Sequence, residues 1–139
     1  MKVETRWHHG RWNEPLPIEL DSERTLVLAL GTPVEADATG PLREVRSAFP
    51  RSVLAGCSTA GQIHQDCVHD DGVAIAVARF DETDVRMVSV PIGPGEESFV
   101  AGKEAATRLA RPDLRALFLL SEGLHVNGTR LVQEIGRAS

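Results

Sequence analysis

Two apolar runs separated by one helical segment constrain the fold of this chain more than any other feature. Residues 25–30 and residues 53–55 are continuous apolar stretches, typical of strands that are buried on both faces. Between them, Leu42, Val45 and Phe49 recur at helical spacing and are followed by a proline. A strand, a helix and a second strand in this order form a βαβ unit, which predicts two parallel neighbouring strands.

The rest of the chain alternates between strand-like and helix-like segments. A four-residue polar connection joins two strand-like runs, residues 73–78 and 85–90, which predicts a hairpin. Residues 96–111 begin with acids and end with arginines, as the helix dipole favours. Residues 116–120 form a last apolar run, and Asn127 is predicted to cap a closing helix. The predicted fold class is therefore α/β, a mixed sheet with helices on its faces.

The length of 139 residues fits one domain or part of one. Residues 1–24 are polar and are predicted to be an irregular lead-in, and residues 25–139 are predicted to form the domain. The closing helix has barely two turns, and no strand follows it to complete the sheet. We therefore expect this chain to be the N-terminal part of a larger protein.

Composition argues against several classes of function. The formal net charge is −5 and no cluster of Lys and Arg is evident, which argues against nucleic-acid or anionic-membrane partners. No apolar run approaches the roughly 20 residues that span a bilayer, and the first residues lack the apolar core of a signal peptide. The sequence thus predicts a cytoplasmic protein. Two cysteines are too few for a disulfide framework.

Two loops of small and polar residues follow predicted strands and are the candidates for a binding site. Residues 56–61 follow the second apolar run, and residues 121–128 follow the last one. Ligands of α/β sheets bind beyond the carboxyl ends of strands, and small side chains let a ligand approach the main chain. We expect both loops to lie on one edge of one sheet and to line a small-molecule pocket.

The loops carry groups that suit an anionic ligand such as a carboxylate. Backbone amides, two hydroxyls and a helix start can hold the anion, Glu122 can accept from an ammonium group, and His125 can close the pocket. The alternative is that both loops are only turns with a capping Asn. The predicted ligand-binding residues are Gly56, Cys57, Ser58, Thr59, Ala60, Gly61, Glu122, His125, Asn127 and Gly128.

A serine acyl hydrolase is the main catalytic alternative. Residues 56–60 differ from the G-x-S-x-G nucleophile elbow only at Ala60, and Glu122 and His125 follow Ser58 in the order that hydrolases use. However, no clear helix follows the elbow, and the acid and the base stand too close together to come from two separate loops. The residues therefore favour binding over catalysis.

Cys57 raises two further alternatives. As a nucleophile it would need His64 or His125 as its base, although a buried structural thiol is commoner. With His64, Cys67 and His69 it would form a metal or haem site, but these spacings match no standard zinc or iron–sulfur pattern. The two histidines are instead expected at the surface, near a turn rich in Asp. No metal site is predicted.

The same segments resemble the N-terminal part of the FIST family, across nearly the whole chain and in the family's order. The resemblance rests on TLVLALG at residues 25–31, FP at residues 49–50, GCSTAGQI at residues 56–63 and LSEGLHVNG at residues 120–128. Gln62 and Glu122 depart from the family pattern, in which an acidic residue and an Asp are expected.

This resemblance implies a ligand-sensing module of bacterial signal transduction that recognises small molecules such as amino acids. The implied partner is a histidine kinase, a cyclic-dinucleotide enzyme or a chemoreceptor. Some relatives bind haem and sense nitric oxide, so haem stays open as a cofactor. The family also continues beyond the point where this chain ends. We therefore predict a non-catalytic sensory domain, with the acyl hydrolase, the haem sensor and a purely structural interaction fragment as alternatives.

Overall fold

The structure is a computed structural model that describes residues 1–32, 40–92, 97–121 and 126–137. The chain divides into two compact units, Met1–Val85 and Arg86–Ser139. Strands form most of the regular structure of the first unit, and two helices form the regular structure described in the second. Within the described ranges, no helix has the length and apolar character that crossing a membrane requires.

A five-stranded mixed sheet is the centre of the first unit. Its spatial order is β2-β1-β7-β3-β4, and a separate hairpin is formed by β5 and β6. Strands β3 and β4 are parallel, whereas the other neighbours in this order are antiparallel. The strands are β1 (Lys2–His9), β2 (Arg11–Trp12), β3 (Thr25–Gly31), β4 (Val53–Ser58), β5 (Gln62–His64), β6 (Cys67–His69) and β7 (Val73–Arg79).

The predicted βαβ unit is confirmed. Helix α1 (Pro41–Ala48) connects β3 to β4, whose parallel register runs from the pair Leu26 and Val53 to the pair Gly31 and Ser58. Proline occupies the first position of the helix, where its missing N–H costs no hydrogen bond. The mixed α/β fold class is confirmed as well.

The core of this unit lies between one face of the sheet and α1. Along β3 the side chains alternate between buried and half-buried, because successive side chains of a strand point to opposite faces. The expectation of a strand buried equally on both faces is therefore wrong. The core residues are Leu20, Val27, Ala29, Val45, Phe49, Val73, Ile75 and Val77.

The expectation of an irregular lead-in at residues 1–24 is wrong. Strand β1 pairs with β7 over seven residues, from Lys2 opposite Arg79 to His8 opposite Val73, and β2 extends the sheet beyond β1. The local sequence gives little sign of this strand, because most of its side chains are polar and its pairing partner lies about seventy positions later in the chain.

The predicted hairpin between residues 73–78 and 85–90 is also wrong. The first run forms β7, but residues 82–92, all of them described, contain no strand. Strand β7 is hydrogen-bonded to β1 on one side and to β3 on the other. Both of its edges are therefore occupied, and no edge is left for a hairpin partner.

In the second unit, α2 (Glu97–Leu109) and α3 (Gly128–Arg137) pack closely against each other. A Cβ atom on Gly102 would lie 2.5 Å from the carbonyl oxygen of Leu131, so this position requires glycine. The helix predicted at residues 96–111 is confirmed over 97–109.

The strand predicted at residues 116–120 is wrong. These residues are described and form no strand, and Phe118 is 66% exposed. A strand needs a neighbour for its N–H and C=O groups, and the described part of this unit contains helices but no sheet edge.

Candidate functional site

The first predicted loop lies at the carboxyl end of β4, in the first unit. Gly56, Cys57 and Ser58 form the exposed last half of that strand. The Thr59 N–H donates to the Gly31 carbonyl at 2.8 Å and extends the pairing with β3 by one residue. The Thr59 hydroxyl donates to the Gly61 carbonyl at 2.8 Å, so it stabilises the turn itself.

A pocket of about 250 Å³ lies where the carboxyl ends of β3 and β4 meet α1. This is the position at which α/β sheets bind their ligands. Three predicted residues, Gly56, Cys57 and Ser58, contribute to its walls. The lining residues are Ala29, Leu30, Gly31, Leu42, Leu54, Ala55, Gly56, Cys57, Ser58 and Val73.

The walls of this pocket are apolar. Among the described residues that line it, none carries a formal charge, and the Cys57 thiol and the Ser58 hydroxyl are the only polar side-chain groups. Both cysteines of the chain are free and exposed, so the expectation of a buried structural thiol at Cys57 is wrong. The arrangement suits a ligand that places hydrocarbon inside and keeps its polar groups at the mouth.

Two glycines shape the pocket because larger side chains would collide with its walls. A Cβ atom on Gly56 would overlap the backbone of Ala29 on the adjacent strand. On Gly31 it would lie 3.1 Å from the Val73 side chain. Glycine at these two positions thus lets neighbouring strands approach closely.

The second predicted loop is described only in part. Glu122 and His125 lie outside the described residues, so the acid and the base of the hydrolase alternative stay predictions. Asn127 and Gly128 are in the second unit, at the start of α3. The expectation that both loops share one pocket rim likewise stays a prediction.

Asn127 caps α3, as predicted. Its side-chain oxygen accepts from the Arg130 N–H at 3.1 Å, and its own N–H donates to the Ser98 hydroxyl at 3.1 Å. The capping interaction satisfies one of the four N–H groups that a helix start leaves without an intrahelical partner. The side chain therefore has a structural role whether or not a ligand binds beside it.

The β5–β6 hairpin brings two histidines onto a tryptophan, an arrangement that the sequence did not reveal. His69 stacks on Trp7 with 4.3 Å between ring centroids, and His64 lies 6.4 Å from the same ring. His64 is buried, so its predicted surface position is wrong. Among the described residues, no three His, Cys, Asp or Glu side chains are grouped as metal ligands. The haem alternative stays a prediction.

The structure explains why Gln62, and not the acidic residue that the family pattern predicts, occupies its position. It is 1% exposed, and its amide nitrogen donates to the carbonyls of Asp71 and Gly72 at 2.7 Å each. A carboxylate has no proton to donate and would face two carbonyl oxygens. Gln62 therefore connects β5 to the start of β7 through two hydrogen bonds. Two buried atoms here, Gln62 Oε1 and His64 Nε2, have no hydrogen-bond partner among the described residues.

The carboxyl and ammonium groups of this unit that have a shifted pKa lie outside the pocket lining. A hydrogen bond to Lys2 lowers the pKa of Glu4, and the same bond raises the pKa of Lys2. Arg6 also donates to Glu4 at 2.7 Å. These ion pairs lie on strand β1, none of whose residues is among the described lining residues of the pocket.

A second and wider cleft, of about 770 Å³, lies in the second unit. It is lined by residues around Pro112 and by Ile135 of α3, and none of the predicted site residues is among them. Its Arg111 guanidinium is already paired with Asp113 through two hydrogen bonds of 2.8 Å. The pocket at the carboxyl ends of β3 and β4 is therefore the better candidate site.

Comparison with known proteins identifies the family of this chain. The model of the FIST N domain matches residues 25–139, a segment that begins at β3 and contains every residue of the pocket lining. Searches of curated proteins and of solved structures gave no match. The resemblance drawn from the two loop segments is thus confirmed. This chain belongs to the FIST N family, whose members are sensory domains of signal transduction.

Proposed function

We propose that this chain senses a small molecule and that the molecule binds in the pocket at the carboxyl ends of β3 and β4. One observation carries the proposal: a pocket of about 250 Å³ lies beside the carboxyl ends of two parallel strands, and its walls include Gly56, Cys57 and Ser58. Membership of a sensory family supports the same conclusion. The proposed ligand class is amino acids and other small carboxylates.

The end of β4 offers hydrogen bonds for the polar end of such a ligand. Strand β4 is the last strand of the sheet order, and no described strand pairs with its outer side. Backbone groups of residues 56–58 are therefore close to the pocket mouth and available to a carboxylate or an ammonium group. The Ser58 hydroxyl, exposed at the same place, adds one further donor.

Signalling follows if the ligand binds two conformations of the domain with different affinity. Occupancy then shifts the population toward the conformation that binds more tightly, and a partner protein detects that shift. The proposed partner is a cytoplasmic histidine kinase, a cyclic-dinucleotide enzyme or a chemoreceptor. No catalytic step is part of this proposal.

A thermal-shift screen of amino acids and carboxylates on the full chain tests whether a ligand exists. A ligand that binds only the native state at 100 times its Kd stabilises that state by about 2.7 kcal/mol. We expect at least one compound to raise Tm in proportion to the logarithm of its concentration. A screen in which no compound raises Tm would argue against the proposal.

Alkylation of the two cysteines tests where the ligand binds. Cys57 lines the pocket, whereas Cys67 lies on β6, away from the lining, and both thiols are exposed. A bound ligand should slow the reaction of Cys57 with iodoacetamide and leave the rate at Cys67 unchanged, as peptide mass spectrometry can measure. Equal rates at Cys57 with and without a stabilising ligand would exclude this pocket as the site.

A further inference from the structure

The volume of the β3–β4 pocket limits what can enter it. An apolar cavity of about 150 Å³ accommodates benzene, so the 250 Å³ available here takes roughly six to ten non-hydrogen atoms. This is smaller than the usual pocket of a drug-sized ligand, which begins near 300 Å³. A nucleotide or a haem group exceeds this volume, whereas an amino acid of medium size fits within it.

The lining decides which end of the ligand enters. Eight of the ten described lining residues are Gly, Ala, Val or Leu, and no Lys, Arg, His, Asp or Glu is among these ten. An ionised group buried there would lose its hydration without gaining a partner charge, which is strongly unfavourable. A hydrocarbon chain in the same place gains affinity with each buried methylene.

The polar groups of the lining lie at one end. Cys57 and Ser58 are exposed and form the last residues of β4, whereas Ala29 is buried in β3, opposite Gly56 and two residues before the pair of Gly31 and Ser58. A ligand therefore enters with its hydrocarbon chain toward Ala29 and keeps its charged head beside Ser58. In that orientation, the length of the hydrocarbon chain is the property of the ligand that determines its affinity.

We infer that this pocket selects short aliphatic amino acids or carboxylates, which insert a side chain of about three to five carbons into the space beside the carboxyl ends of β3 and β4. The inference rests on the proposed function and names its ligand class. The sequence suggested a site that mainly contacts an anionic group. In this inference the lining mainly contacts the hydrocarbon part of the ligand. The carboxylate contributes at the mouth and is common to all members of the class.

A homologous series measured by isothermal titration on the full chain tests this inference. The probes are glycine, alanine, 2-aminobutyrate, norvaline and norleucine, together with aspartate, glutamate and lysine. Each added methylene should lower Kd about fourfold until the chain fills the pocket, since one buried methylene contributes about 0.8 kcal/mol. The three probes with charged side chains should bind more weakly than alanine.

Two serine variants provide the matched control. Ser58→Phe narrows the mouth at an exposed position and should weaken norvaline at least tenfold, whereas Ser89→Phe, also exposed and outside the lining, should leave its affinity unchanged. Circular dichroism of both variants shows whether they fold. Should Ser58→Phe fail to fold, protection of Cys57 by norvaline but not by aspartate replaces it.

The outcomes separate this inference from the proposed function. A Kd that does not change along the series, or tighter binding of aspartate or glutamate, overturns the aliphatic selectivity and leaves a sensor of another ligand. Norvaline binding that Ser58→Phe does not affect and that leaves Cys57 unprotected overturns the placement in this pocket. Failure of every probe to bind overturns the aliphatic selectivity, and the thermal-shift screen of amino acids and carboxylates then decides the proposed function.

Discussion

At the scale of single residues, Gln62 stabilises the contact between the small hairpin and the main sheet. Its amide nitrogen supplies two hydrogen bonds of 2.7 Å to backbone carbonyls at a fully buried position. Carbonyl oxygens in such a place need a donor, because water cannot reach them. The donor must carry two hydrogens, which an amide does and an ionised carboxylate does not.

Gln62→Glu should therefore destabilise the protein by about 3 kcal/mol at pH 7, since it removes both bonds and buries a charge beside two acceptors. Protonation restores one donor, so this buried carboxyl would have a folded-state pKa above its unfolded value. The loss should accordingly shrink as pH falls toward 4. Urea denaturation at the two pH values measures both effects. Gln133→Glu, an exposed exchange on α3, serves as the control and should change stability little. Equal stability of the two variants would contradict this role.

Gly72 is a second residue whose identity the backbone dictates. Its φ of +82° lies in the left-handed region, and a Cβ atom would overlap the carbonyl oxygen of His8 and lie 2.6 Å from the ring of Trp7. Gly72→Ala should lower the free energy of unfolding by about 2 kcal/mol or more, through backbone strain and displacement of the ring. Gly136→Ala on α3, where a Cβ atom meets nothing within 4 Å, should instead stabilise slightly. Thermal denaturation of both variants measures the difference, and a neutral Gly72→Ala would show that Trp7 can move.

At the scale of elements, local rules predicted the helices and failed where a strand depends on a distant partner. The βαβ unit and the Asn127 cap depend on patterns within a few dozen residues, and both are confirmed. The formation of β1 and the identity of the strand that pairs with β7 depend on pairing between segments that are far apart in the sequence. Because β1 occupies the edge of β7 that the hairpin rule assigned to residues 85–90, one missed strand produced two errors.

The cap of α3 gives a prediction at this scale. Asn127→Ala should destabilise the protein by about 1 kcal/mol, and Asn127→Asp should restore most of that loss, because a carboxylate also accepts from the Arg130 N–H and interacts favourably with the helix dipole. Guanidinium denaturation of the three proteins measures the order. A ligand titration of the Asp variant separates capping from binding, since a carboxylate in contact with an anionic ligand would weaken affinity while stability is retained. An Ala variant as stable as the wild type would show that the cap is unimportant.

At the scale of the whole molecule, the sequence predicted where a site lies better than what the site contains. The small residues after the second apolar run indicated a ligand near the end of β4, and Cys57 and Ser58 do line a pocket there. Its apolar character could not be foreseen, because Leu42 of α1 and Val73 of β7 reach it only through the fold. Hydroxyls and amides in the loop suggested an anion, whereas half of the described pocket lining comes from β3, α1 and β7.

Hydrogen exchange followed by mass spectrometry tests the arrangement of the chain as a whole. Strands β3 and β7 are paired on both edges, so their amides should exchange slowest. Residues 82–92 and 114–121, described without helix or strand, should exchange within seconds at pH 7. A fully exchanged sample in guanidinium sets the upper reference. The decisive segment is residues 116–120, for which the apolar sequence predicts a strand and the structure shows none. Protection there as strong as in β3 would mean that these residues form a strand after all.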